Sequence, residues 1–175
     1  EEDVYETYNL SQRVPDVPFY VNYAWGKENR NHVRLTGVFR TITYIDADDR
    51  TNNYEFGFGL KLTSRVHAGP ATFYGMLQGG RAIAKFLKGN DDFELDLVPC
   101  SDPYSGDLTP THSFGVIGAV QYNFTPNLFA TGAYSFLRHY VPYYTQTATT
   151  SYWDQVRRGH KISANLVWRI SDLFS

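Results

Sequence analysis

Between Tyr54 and Arg65 the chain alternates without a break. Tyr54, Phe56, Phe58, Leu60 and Leu62 take one parity, and Glu55, Gly57, Gly59, Lys61, Thr63 and Arg65 take the other. Successive side chains of a strand point to opposite faces, so a two-residue period means a strand whose two faces meet different surroundings. The same period runs through 33–45. It returns at 112–124, where Phe114, Val116, Gly118, Val120, Tyr122 and Phe124 share a parity. Leu128, Ala130, Gly132, Tyr134 and Phe136 share a face of the next strand, and Ile162, Ala164, Leu166, Trp168 and Ile170 a face of the last. Together with 17–26 and 71–87 these segments make seven strands. Alternation slips only near Gly79 and Gly80, where Ala82, Ile83, Phe86 and Leu87 also fit one side of a helix. A glycine bulge within a strand is the preferred reading there.

Several of these segments run to about a dozen residues, long for a globular sheet but suited to a strand tilted through a bilayer. No run of about 18 apolar residues exists to make a transmembrane helix. Tyrosine, at 14 residues, outnumbers leucine, which favours strands and fits the aromatic girdles of outer-membrane barrels. Composition alone also permits a soluble β-sandwich. The connections alternate in size, with short turns at 27–31, 66–70 and 125–127 against long links at 46–53, 88–111 and 141–156. Bacterial barrels keep short turns on the periplasmic side, which makes the three long links external loops. The expectation is an all-β chain, an antiparallel transmembrane β-barrel portion. Seven antiparallel strands do not close, so residues 1–175 read as a single barrel domain, incomplete at both ends.

The stretches SQRVPDVPFYVNYAW and HVRLTGVFRTITY, followed by YEFGFGLKLTS, FYGMLQGGRAIAKFL, SFGVIGAVQYNFTPNL and ISANLVWRI, cover nearly the whole chain. This series resembles the DcaP-like trimeric outer-membrane porins. The resemblance implies a larger barrel of 16 strands, of which this chain would form roughly the second half, in the bacterial outer membrane and as a homotrimer. The link at 88–111, with its acidic run and Cys100, departs from the family pattern.

The formal net charge of -2 conceals a segregation. Within the strand spans Glu55 is the sole acid, whereas Asp46, Asp48, Asp49, Asp91, Asp92, Glu94, Asp96, Asp102 and Asp107 fall in the long links. The polar faces carry Arg34, Arg40, Lys61, Arg65, Lys161 and Arg169, with Arg81 and Lys85 added where the slip in alternation leaves the parity open. A lumen lined by one sign of charge concentrates the opposite ion, so these side chains are the candidate substrate-binding, lumen-lining groups of an anion-preferring pore. Dicarboxylates suit such a lining, because guanidinium groups grip carboxylates in a bidentate manner. The competing outcome is that the cations pair with acids of missing strands or of an inward-folded loop. Gly57 and Gly59 leave room for such a loop against the wall, and no helix follows them to make a phosphate-binding turn.

Other chemistry is weaker. His112 and His160 share the apolar parity while His139 lies with the polar set, so one metal ion does not collect all three. His112 with Ser113, or His139 with Asp107, lacks the converging constellation a reaction needs, and no enzyme is expected. The acidic loops show no calcium-loop spacing, and Cys100 has no partner. Tyr140, Tyr143, Tyr144, Tyr152 and Trp153 suit an aromatic belt better than a sugar platform. Basic residues spread over many strands and a pI near 6.2 argue against nucleic acid. The sequence therefore points to a porin for small anionic solutes, without cofactor or metal, whose other partners are membrane lipid and lipopolysaccharide. A plugged barrel whose external loops bind a partner or glycan is the alternative, and a soluble ligand-carrying barrel a further one.

Overall fold

The computed structural model of the chain describes residues 8–11, 14–46, 52–83, 86, 96–99, 108–140 and 158–170. Seven long strands form one antiparallel sheet: β2 (Val17–Trp25), β3 (Asn31–Asp46), β4 (Asn52–Ala68), β5 (Ala71–Arg81), β8 (His112–Thr125), β9 (Leu128–Tyr140) and β10 (Arg158–Trp168). An eighth, the short β1 (Tyr8–Ser11), pairs with the far end of the same edge of β3, so β1 and β2 form one wall strand interrupted between Ser11 and Val17. Two further strands, β6 (Leu97–Pro99) and β7 (Leu108–Pro110), pair only with each other. Asp48, Asp49, Lys85, Asp91, Asp92, Glu94, Cys100, Asp102, Asp107, Tyr143, Tyr144, Tyr152 and Trp153 lie outside the described residues.

Aromatic and β-branched side chains on one parity hold these strands extended, and the turns at 26–30, 69–70 and 126–127 are tight. Gly69 adopts φ 59°, a left-handed conformation that glycine reaches without strain, and closes the β4–β5 hairpin with Pro70. Cross-strand register then lines up side chains of like kind. One row runs Val21, Leu35, Leu62, Leu77, Val116, Phe136 across six strands, every member on the same face. That face leaves Phe56, Leu60, Leu62, Leu77, Ile162 and Leu166 exposed. A sheet covered by apolar side chains on its open face is what lipid, not water, accommodates.

The opposite face is the inner one, because the chain folds back onto it. Ala82, at φ 53°, turns the backbone off the wall immediately after Arg81. The strand expected over 71–87 therefore stops at Arg81. Nor is there a bulge at Gly79–Gly80: both glycines keep unbroken register with Leu60 and Gly59. Gly80 is required for another reason, since a Cβ there would sit 2.1 Å from the Phe58 carbonyl oxygen. The shift in register falls instead between Asn123 and Thr125, in the pairing of β8 with β9.

Past Ala82 the described parts of the link to β8 lie against the inner face and do not stand away from the sheet. Ile42 and Tyr44 of β3 pack with Ala82, Leu97 and Leu108 in one buried cluster. Backbone bonds tie the piece down, from Ala82 N–H to the Thr111 carbonyl at 2.8 Å and from Thr111 N–H to the Asp96 carbonyl at 3.0 Å. The Leu108 N–H donates to the Tyr44 hydroxyl at 3.0 Å. Gly57 and Gly59 make this approach possible, because a Cβ on Gly57 would come within 3.1 Å of the Ala82 Cβ and one on Gly59 within 2.9 Å of Ile83 Cγ2. The room those glycines leave is thus filled by the start of the infolded link.

Candidate functional site

Every candidate cation of β3, β4 and β10 falls on the inner face by strand register. Arg34 and Arg40 of β3 stand opposite Thr63 and Gly57 of β4, Lys61 and Arg65 share that parity, and Lys161 of β10 stands opposite Ser135. Arg169, just past β10, lies 5.6 Å from the ring of Phe129 on the same face. These side chains divide into two groups according to what they touch.

Arg40 of the inner face is neutralised, and so is Arg81, which by register stands opposite Phe58 with the outer-face residues. Arg40 is buried at 6% exposure and joins three parts of the chain. Its Nη1 donates to the Ala82 carbonyl at 2.9 Å and pairs with the Asp96 carboxylate, while its Nε lies 3.5 Å from Asp16 in the break between β1 and β2. A buried cation needs such company, since an unpaired charge at low dielectric costs several kcal/mol. Arg81 donates through Nη2 to Glu55 at 2.8 Å, which uses the one acid found in the strand interiors by sequence. Sequence reasoning identified the cations but not these partners. The Arg40–Asp96 pair spans 56 positions, and nothing local to either residue announces it.

The remaining cations have no acidic partner among the described residues. Arg34 donates to the Asn22 side chain at 3.2 Å and lies 5.2 Å over the Tyr20 ring, and Arg65 donates to the Arg30 carbonyl at 2.9 Å. These three contacts orient the two guanidinium groups while leaving their charge. Lys61 and Lys161 border one cavity of about 540 Å³ together with Gln78, Phe86 and Ser135. Lys61 and Phe86 also border a second, of about 180 Å³, against Val38 and Ile83. The inner face therefore offers two ammonium groups beside open space, with Arg34 and Arg65 on β3 and β4. The infolded link lies beside them.

The histidines diverge. His160 lies on the outer face, where the Tyr134 hydroxyl is 2.8 Å from its Nδ1, while His139 faces inward and meets Ser113, Oγ to Nδ1, at 2.6 Å. Ser113 and His139 are each 3% exposed, so this hydroxyl–imidazole pair is closed to a solute.

A sheet of long antiparallel strands, apolar outside and cationic within, with a segment tucked against its inner wall, is the architecture of a β-barrel wall. Comparison of structures gives a match to the outer membrane channel DcaP of Acinetobacter baumannii, with a TM-score of 0.74 over 94% of this chain and 44% of that one, at 11% sequence identity. The chain has the fold of a porin barrel fragment. It spans less than half the length of that channel. No protein-family model and no curated protein sequence matches it. With so little identity the likeness to DcaP carries the course of the backbone alone, and residue roles come from the geometry above.

Proposed function

We propose that this chain is part of an outer-membrane channel through which small anionic solutes such as dicarboxylates diffuse. The carrying observation is the pair of lysines, Lys61 and Lys161, bordering one cavity on the inner face with no acidic partner among the described residues. Ammonium groups bordering the same opening attract carboxylates, and several weak contacts in series, from Arg34, Arg65 and Arg169, suit flux better than one tight site. Arg40 and Arg81 contribute less, because Asp16, Asp96 and Glu55 offset their charge at short range. A homotrimer, surrounded by membrane lipid, belongs to the same proposal through the resemblance to DcaP-like porins.

The test is the reversal potential of the intact protein in planar bilayers under a salt gradient, with succinate added to one side. Anion-selective current that succinate blocks supports the proposal, and cation-selective current ends it.

A second reading has its own observation in its favour. The infolded link covers Ile42, Tyr44 and Arg40 on the inner face, as a plug would, and a plugged barrel then serves to display its external loops to a partner or glycan. A folded, membrane-inserted protein without conductance selects that alternative.

A further inference from the structure

We propose that the outer face of β9 and β10 binds the phosphate groups of a phosphorylated glycolipid, the lipid A anchor of lipopolysaccharide. The inference rests on the reading of the chain as an outer-membrane barrel with its long links outside.

The starting observation is a like-charge pair. Arg138 and Arg158 stand directly opposite each other in the register of β9 and β10. Both share the parity of Phe136 and Ile162, so both stand on the apolar outer face, and both are exposed. Like charges in directly opposed positions destabilise a sheet. No acidic side chain among the described residues offsets them. Arg138 lies 4.5 Å over the ring of Tyr140, two residues along the same face, which fixes the height of its guanidinium. An anion between the two arginines turns the repulsion into attraction, and a phosphate offers oxygens to both forks at once.

The surroundings give the class of anion. Along β10 the outer face continues from Arg158 through His160, Ile162, Ala164 and Leu166 to Trp168. Ten residue steps at about 3.3 Å, tilted by about 40°, place Trp168 roughly 25 Å below Arg158, the height of a barrel's apolar band. Trp168 then marks one interface and the arginines the other. A molecule seated here has an anionic head at Arg138 and Arg158 and apolar tails along Phe136, Ile162 and Leu166. A free phosphate lacks the tails. The side of the long links is the outer leaflet, whose phosphorylated lipid is lipid A.

The test uses the intact protein in detergent, titrated with lipid A, with monophosphoryl lipid A and with phosphatidylglycerol, binding being followed by native mass spectrometry. The informative variant is Arg158→Glu, which converts the opposed pair into an ion pair and so keeps the sheet intact. Heat-resistant migration on a gel checks folding. The inference expects this variant to fold and to lose lipid A affinity by about ten-fold or more, as loss of a charge-assisted bond implies. Arg138→Lys with Arg158→Lys, which keeps the charge and loses the planar forks, is expected to bind more weakly than the native pair and more tightly than Arg158→Glu. Unchanged affinity in Arg158→Glu overturns the site, and equal affinity for phosphatidylglycerol overturns lipid A as its occupant. Conductance of the same preparation is recorded separately, so a silent or cation-selective protein counts against the channel proposal and leaves the lipid result standing.

Discussion

The carboxylate of Asp96, on the infolded link, pairs with the guanidinium of Arg40, on the barrel wall, 56 positions earlier in the chain. The same guanidinium holds the Ala82 carbonyl and faces Asp16, so a single side chain fastens the break in the first wall strand, the exit from β5 and the tucked segment to one place.

Removing that fastening is costly. Arg40→Ala takes from Asp16 and Asp96 the guanidinium they share, and the expected loss is about 3 to 5 kcal/mol, the range for breaking a buried pair. Denaturant titration of the refolded protein measures it. Arg40→Met with Asp96→Asn, which removes the opposed charges together, is expected to lose clearly less.

Lys61→Glu and Lys161→Glu are expected to move the reversal potential toward cation selectivity, each alone and more so together, because both groups border the same cavity. Glu55→Gln works in the opposite direction. It releases the charge of Arg81, and the same measurement is expected to show a rise in anion preference.

Gly80→Ala tests the close approach of β4 and β5. A methyl group there meets the Phe58 carbonyl at 2.1 Å, so one of two paired backbones must move. A loss of about 1 to 3 kcal/mol or more is expected, the range for overpacking. Gly118→Ala serves as the control, since nothing lies within 4 Å of its Cβ position and the expected change is small. Heat-modifiable gel migration after refolding compares the two.

On the outer face Leu62→Arg places a charge among exposed apolar side chains, in register with Leu35 and Leu77. The expected cost is about 2 to 4 kcal/mol if this row lies near the bilayer centre, read from the unfolding free energy in lipid vesicles. Thr63→Arg, one residue away on the inner face, is expected to cost much less.

The wall was legible in the sequence because its signal is local. Tyr54 to Leu62 reveals its parity to anyone counting by two, and Arg34, Arg40, Lys61, Arg65 and Lys161 take their faces from the same count. What the sequence hid depends on distant pairs. The inward course of the described part of the 88–111 link hangs on Tyr44, Arg40 and the space over Gly57, none of them near it in the chain. The end of β5 at Arg81 depends on the left-handed turn of Ala82, a residue type that gives no warning of it. Glycine at Gly79 and Gly80 has two explanations, a bulge or a close backbone approach, and only the register with β4 and the distance from Gly80 to Phe58 separate them.

β5 and β8 lie side by side in the wall, paired without a gap from Ala71 with Tyr122 to Arg81 with His112, although residues 82–111 separate them in the chain. The link is therefore an insertion in a hairpin that is already closed. Its length can change without altering the register of any wall strand, while Asp96, which holds Arg40, ties the strength of that wall to what the link retains.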